Sequence, residues 1–271
     1  MAGSPHGIAY AKRAGAEVVQ VFVSNPRGWA VAKTSPAADA AFAEQCRDER
    51  FRVFVHAPYL INLASPTAQT RKQSLTALRH CVERAERFGA RGVVLHAGSA
   101  VDRAQRDTGI TAMREALLPL LDQLGADAPD LLIEPTAGGG ESIASSVEDL
   151  APLFTALESH PRLGVCLDTC HAYAAGHDLA KPGGVRTTLN ALVRAVGRGR
   201  LKLVHANDSK DALGSKRDRH ATVGAGTIGV EPFAELFRHP ATRGVPVIVE
   251  TPGGVEGQGR DIALLKRLRD D

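Results

Sequence analysis

The sequence predicts an α/β fold in which parallel strands and helices alternate to form one barrel. Three observations predict it. Short apolar runs recur along the chain, Ala/Leu/Arg-rich stretches with helical periodicity separate them, and no break in composition divides the 271 residues. The runs are mostly continuous rather than alternating, as expected of strands covered on both faces. The length suits a single α/β barrel, so residues 1–271 are expected to form one catalytic domain.

Taken in order, the opening MAGSPHG is too short and too rich in Gly, Pro and Ser to be a core strand. A helical stretch, 6–15, leads directly into the first run, VVQVFV (18–23). RVFVHA (52–57), GVVLHA (92–97), DLLIEP (130–135), LGVCLD (163–168), LKLVHA (201–206) and VPVIVE (245–250) follow. Helical periodicity marks 70–88, 111–124, 145–158 and 186–197 between them. A TIM-type (β/α)8 barrel needs eight strands, and only seven runs are present. The expectation is therefore a barrel whose first β-strand is missing or truncated. Such a barrel has two unpaired edges, which invite aggregation or loose packing.

Composition narrows the function classes. The net charge of +3 permits a nucleic-acid partner without arguing for one. Aromatics are 4% of the chain, so any base-stacking surface rests on few residues. No apolar run is long enough to span a bilayer, and no signal pattern opens the sequence, which points to a cytoplasmic protein. The cysteines, Cys46, Cys81, Cys166 and Cys170, form no zinc-ribbon pair and are expected to be reduced, mostly buried thiols.

The strand ends carry the chemistry. Six successive runs finish on His56, His96, Glu134, Asp168, His205 and Glu250. In a parallel barrel those ends meet at one rim, where active sites sit. A single His at a strand end is ordinarily a hydrogen-bonded rim residue. Six coincident metal-capable ends, with carboxylates closing apolar runs, are better explained by cations that offset the cost of buried charge. His171 follows Asp168 into the next loop and can reach a neighbouring ion. In the polar loop after 201–206, Asp218 and His220 are two apart and point the same way in extended backbone; alone, that pair would be a solvated charge run. Gly224, Gly226 and Gly229 suggest a tight loop. Mixed imidazole and carboxylate donors favour zinc, with manganese or iron as substitutes. Several ions a few Å apart are the usual apparatus of phosphoester hydrolysis.

The blocks VHAPYLINLAS, IEPTAGGG, CLDTCHAYAAGHD and HANDSKDALGSKRDRHATVGAGTIG resemble the signature blocks of the endonuclease IV family, zinc-dependent abasic-site endonucleases of DNA repair. The resemblance runs from about residue 16 to the C-terminus and implies a (β/α)8 barrel with three zinc ions. It implies that His56, His96 and Glu134 hold the first ion. Glu134 bridges to a second, also held by Asp168, His205 and Glu250, and His171, Asp218 and His220 hold the third. The implied reaction is hydrolysis 5′ to an abasic site in duplex DNA, giving a 3′-hydroxyl and a 5′-deoxyribose-phosphate, with trimming of blocked 3′ ends. Glu134, between the ions, and Glu250, orienting or deprotonating the nucleophile, are the implied catalytic residues. Arg27, Tyr59 and Leu60 are the implied wedge into the duplex; by packing alone Tyr59 and Leu60 would be an ordinary apolar pair. Asn207, Lys210, Lys216 and Arg219 are candidate phosphate contacts. The implied protein is a monomer, nucleoid-associated when acting.

The chain departs from the family at its start, where the strand reading roughly Ile-Gly-x-His-x-Ser is lacking. GSPHG is at most a remnant of the turn that follows it, and His6 is not equated with that strand's His. PGGVEGQGR (252–260) is assigned no role. Two rival functions use the same residues: a sugar isomerase or epimerase on this barrel, with fewer ions, and a non-catalytic lesion-binding protein.

Overall fold

The computed structural model describes residues 5–31, 33 and 35–271, with the side chains of Pro5 and His6 excepted. The start of the GSPHG segment and the His6 side chain thus lie outside the described residues. The elements are α1 (Pro5–Arg13), β1 (Val18–Phe22), α2 (Pro36–Asp48), β2 (Arg52–His56), α3 (Ala68–Phe88), β3 (Gly92–His96), α4 (Arg106–Asp122), β4 (Asp130–Glu134) and α5 (Leu150–Ala156). Then come β5 (Leu163–Asp168), α6 (Thr169–Ala175), α7 (Gly184–Val196), β6 (Leu201–His205), β7 (Asp208–Ser209), β8 (His220–Ala221), α8 (Glu231–Arg238), β9 (Val247–Ile248) and α9 (Gly254–Asp270).

Seven parallel strands form one sheet in the order β1-β2-β3-β4-β5-β6-β9, and β7 and β8 form a small antiparallel hairpin. The sheet curls into a barrel. Every strand sends one apolar side chain into its interior: Phe54, Val94, Leu132, Cys166 and Leu203 are buried together, with Val18 and Ile248 packed against them. The larger core lies between the strands' outer faces and the helices, and includes Val55, Leu78, Leu95, Leu117, Ile133, Leu153 and Leu192. This double cover explains the continuous apolar runs.

Between β9 and β1 the ladder is open among the described residues. The two edges face each other, and other groups close the ring. Tyr10 on α1 donates to Gln258 on α9 at 2.9 Å, and Glu17 pairs with Lys266 and Arg269 on α9 at 2.9 and 3.0 Å. At the rim, the Gln20 side chain of β1 reaches Glu250, beyond β9, at 2.8 Å. The unpaired edges expected from the sequence are present, but they are not bare.

Two elements are shorter than their sequence pattern. The run 245–250 pairs only over Val247–Ile248. Its other side has no partner strand, Pro246 offers no N–H, and the Glu250 N–H donates instead to the Asn207 side chain at 2.8 Å. The stretch 145–158 is helical only from Leu150, because Asp149 accepts from the Ser145 and Ser146 N–H groups and holds them in turns. The segment 252–260, assigned no role from sequence, contains the start of α9.

Candidate metal centre

The barrel's alternation builds the site. Side chains two residues apart on a strand share a face. Two positions beyond the interior apolar residues Phe54, Val94, Leu132, Cys166, Leu203 and Ile248 stand His56, His96, Glu134, Asp168, His205 and Glu250. The dry layer below and the polar layer above are successive floors of one barrel.

Glu134 is the hub, 1% exposed. Its Oε2 lies 3.2 Å from His56 Nε2 and 3.5 Å from His96 Nε2. Its Oε1 lies 3.0 Å from His205 Nδ1 and 3.4 Å from His171 Nδ1. The two oxygens of one carboxylate thus face different pairs of imidazoles. Glu250 Oε2 is 3.4 Å from His205 Nδ1, on the same side.

Asp168 ends β5 and caps α6, accepting from the His171 N–H at 2.9 Å. That cap places His171 in the first turn of α6. His171 Nε2 then meets Asp218 at 3.2 Å. The β7–β8 ladder sets Ser209 opposite His220, which brings the loop's Asp218–His220 pair over the rim. His220 Nε2 lies 2.9 Å from Asp218 and 3.6 Å from Asp168, yet is buried and hydrogen-bonded to neither.

The groups His56/His96/Glu134 and His171/Asp218/His220 each have donor atoms within 4.8 Å of one another, as do Glu134/Asp168/His171 and Glu134/Cys166/His205. Among the described residues, Glu134, Asp168, Asp218 and Glu250 have no Lys or Arg ion-pair partner. Glu134 and Asp168 are buried, and carboxylates buried without such partners cost several kcal/mol unless cations meet them. With the orphaned His220 nitrogen and the hard-and-borderline donor set, the residues fit a cluster of divalent ions.

Electrostatics separates the two ends of the cluster. Burial holds His96 down at about 4, against the pull of Glu134. Burial also opposes charge on His171 and His220, but Asp168 and Asp218 outweigh it and push these imidazoles up to about 10 and about 9. Asp218 is depressed despite partial desolvation, by the imidazoles of His171 and His220 beside it at 3.2 and 2.9 Å. Glu134 stays well below the carboxylate range: burial raises it, and His205, His56 and His96 more than compensate. Burial raises Cys166 and Cys170 to about 12, so both remain thiols. All four cysteines are free and buried.

The other sequence candidates are distributed around this centre. Tyr59 (46% exposed) and Leu60 (37%) stand out from the rim just after β2, with the Tyr59 ring 5.3 Å from His56 and 5.6 Å from His96. The Tyr59 N–H donates to the Pro26 carbonyl, which ties it to the loop bearing exposed Arg27. Lys210 and Lys216 are exposed or nearly so, and Arg219 is paired with Asp211 at 2.5 and 2.7 Å. Asn207 requires a correction. It is fully buried, donates to Asp168 Oδ2 at 2.6 Å and accepts from the Glu250 N–H. An amide so enclosed, with both its ends taken by Asp168 and the Glu250 N–H, is not open to a phosphate.

Three residues in this region carried no signal as site residues. Cys166 borders Glu134 and His205 from the floor below. Asp208 is fully buried and accepts from the N–H groups of Ser209, Gly224, Gly226, Ile228 and Gly229 at 2.7–3.3 Å, which moors the loop carrying Asp218 and His220. A Cβ on Gly226 would sit 2.4 Å from the Asp208 carboxylate, so this position must be glycine. The third is Gln20, a polar residue inside the apolar run of β1.

A family profile described as "Xylose isomerase-like TIM barrel" matches residues 8–268. A curated Streptomyces avermitilis protein named "Probable endonuclease 4" is 53% identical over 100% of this chain and 88% of its own length. The crystal structure of endonuclease IV from Thermus thermophilus superposes with a TM-score of 0.82 at 34% identity, covering 98% of this chain and 93% of that one. A D-tagatose 3-epimerase-like protein superposes at 0.69 with 17% identity, over 94% and 88% of the two chains, which is likeness of fold alone. The whole-chain identity and superposition, with the ligand blocks in place, mean that the chain belongs to the endonuclease IV family of xylose isomerase-like TIM barrels.

Proposed function

We propose that this protein is a zinc-dependent DNA-repair endonuclease. It hydrolyses the phosphodiester 5′ to an abasic site in duplex DNA, leaves a 3′-hydroxyl and a 5′-deoxyribose-phosphate, and trims blocked 3′ ends. The observation that carries the proposal is the division of labour at Glu134, whose two oxygens face separate imidazole pairs. That arrangement suits a carboxylate shared between ions. His171, Asp218 and His220 add a third set of donors, which a sugar isomerase with fewer ions does not need.

His56, His96 and Glu134 would hold one zinc; Glu134, Asp168, His205 and Glu250 a second; His171, Asp218 and His220 a third. Manganese or iron can substitute on these donors. Divalent ions so held supply Lewis acidity toward the phosphate and make water acidic enough to be a nucleophile near neutral pH. Glu134 stays ionised throughout, as its depressed pKa requires. Glu250 is half-buried and open to the rim, so its carboxylate can align the attacking water or take its proton. Tyr59 stays a neutral phenol, raised to about 12 by burial and the nearby carboxylates. It can therefore enter a duplex with Leu60 and Arg27 and fill the space an extruded abasic nucleotide leaves. Lys210, Lys216 and Arg219 lie on the loop above and meet backbone phosphates. The protein acts as a monomer in the cytoplasm, at the nucleoid; no helix among the described residues is long and apolar enough to cross a membrane.

The test is incision of a duplex carrying one synthetic abasic site, with and without a chelator. Zinc-dependent nicking that leaves a polymerase-extendable 3′ end is expected. Zinc and lesion binding without nicking would make the protein a lesion binder. Turnover of a ketose or aldose without DNA affinity would make it a sugar isomerase.

A further inference from the structure

Each imidazole that is to ligate through one ring nitrogen needs its other nitrogen held, because that second contact fixes both tautomer and ring orientation. At three positions the backbone does this. His56 Nδ1 donates to the Ala57 carbonyl at 2.7 Å, His171 Nδ1 to Pro135 at 3.1 Å and His220 Nδ1 to Glu250 at 3.3 Å. Each leaves Nε2 for the ion. His205 is held by a side chain instead. Its Nδ1 faces Glu134, Asp168 and Glu250, and its Nε2 lies 2.9 Å from the side-chain Oε1 of Gln20.

The chemistry of the neighbours settles which way the Gln20 amide points. Its other end lies 2.8 Å from Glu250 Oε1. An ionised carboxylate only accepts, so the amide NH2 must face Glu250 and the amide oxygen must face His205. That oxygen only accepts, so His205 must carry a proton on Nε2, which leaves Nδ1, hydrogen-bonded to Glu134 at 3.0 Å here, as the ring nitrogen that can face an ion. Gln20 also occupies the ring position on β1 that the ligands occupy on the other strands, two residues beyond Val18 of the interior layer.

From this geometry we propose that Gln20 is a positioning residue of the metal centre. It holds His205 in the Nε2–H tautomer and clamps Glu250 across the open β1–β9 seam. Backbone carbonyls anchor His56, His171 and His220 whatever the sequence. Here the ladder is absent, β9 is two residues long, and one side chain anchors two ligands of the same ion. The inference rests on the metal-centre reading above, and its test keeps the two separable.

The experiment compares native protein with Gln20→Met, near-isosteric but unable to hydrogen-bond, and Gln20→Glu, able to accept from His205 but not to donate to Glu250. Zinc per chain and zinc affinity are measured by elemental analysis and chelator competition. The imidazole Nε2–H resonance of His205 is followed in the zinc-loaded protein, and thermal unfolding checks the fold. In Gln20→Met the affinity for one ion should fall about 10–100-fold, the size expected for loss of a contact that orients a ligand. The His205 proton should lose its downfield shift and slow exchange, and excess zinc should restore nicking, which it would not do for a merely damaged scaffold. In Gln20→Glu the downfield proton should return while the zinc affinity stays reduced. Native zinc affinity and an unchanged His205 proton in Gln20→Met would overturn the proposal. Native protein that retains no zinc would instead overturn the metal centre itself.

Discussion

The candidate metal centre has two ends built on different supports. His56, His96 and Glu134 sit on the last residues of β2, β3 and β4, inside a continuous ladder. His171, Asp218 and His220 sit on a helix turn, a loop and a two-residue strand. The strand-mounted end is preorganised by backbone pairing, and there burial keeps His96 neutral, down at about 4. The loop-mounted end holds its shape by charge, with His171 and His220 pushed up to about 10 and 9 around a depressed Asp218. Without metal, protons occupy the loop end and act as its cations. At the strand end His96 stays neutral, and the charge facing Glu134 comes instead from the one imidazole of His205, raised well above its ordinary value where burial is outweighed by Cys166, Glu250 and Glu134. Metal binding at the loop end should therefore displace protons, and at the strand end far less.

Three perturbations should sharpen or break this contrast. The largest effect should come from Glu134→Gln, which removes the charge facing both imidazole pairs. Nicking should fall by at least ~10²–10³-fold, the scale for deleting one preorganised electrostatic group. Zinc should be lost from the strand end as well as its neighbour. Retained nicking would refute the bridging role.

Asp208→Ala should act on the loop end alone. It strips five N–H groups of their acceptor, at ~1–3 kcal/mol for each of the buried ones, Ser209 and Ile228, left unsatisfied. Thermal unfolding should shift down and one zinc should bind more weakly, with the His56/His96/Glu134 ion unaffected. Uniform weakening of all ions would mean that the two ends are not independent.

The smallest effect should be the pH dependence of the metal-free protein. Imidazoles raised above their ordinary value of 6.5 contribute stability that is complete below 6.5 and lost as pH rises through about 9–10. The unfolding temperature of chelator-treated protein should thus fall between pH 6.5 and 10, and zinc should flatten that slope. An equal slope with and without zinc would contradict the assignment of His171 and His220 to an ion.

Much of this arrangement was legible in the sequence because strands obey a period of two. Apolar runs ending in His or a carboxylate place those ends on one rim, and the structure puts them there. The Asp218–His220 spacing was readable for the same reason. What stayed hidden depends on partners remote in sequence. Asn207 looks like any polar residue of a basic loop, and only its enclosure against Asp168 and the Glu250 N–H takes it out of reach of a phosphate. Gln20 carries no metal-capable atom, and its partners lie 185 and 230 residues away. The shortness of β9 follows from its far side being unpaired among the described residues, which no local propensity within VPVIVE encodes.

The most direct test of the central claim is the zinc content per chain of native protein and of Asp218→Asn, each equilibrated at the same buffered free zinc. The account predicts about three ions in the native protein and about two in the variant, since only the loop end loses a charged donor. A native protein holding no zinc, or a variant that keeps the native number at native affinity, would contradict it.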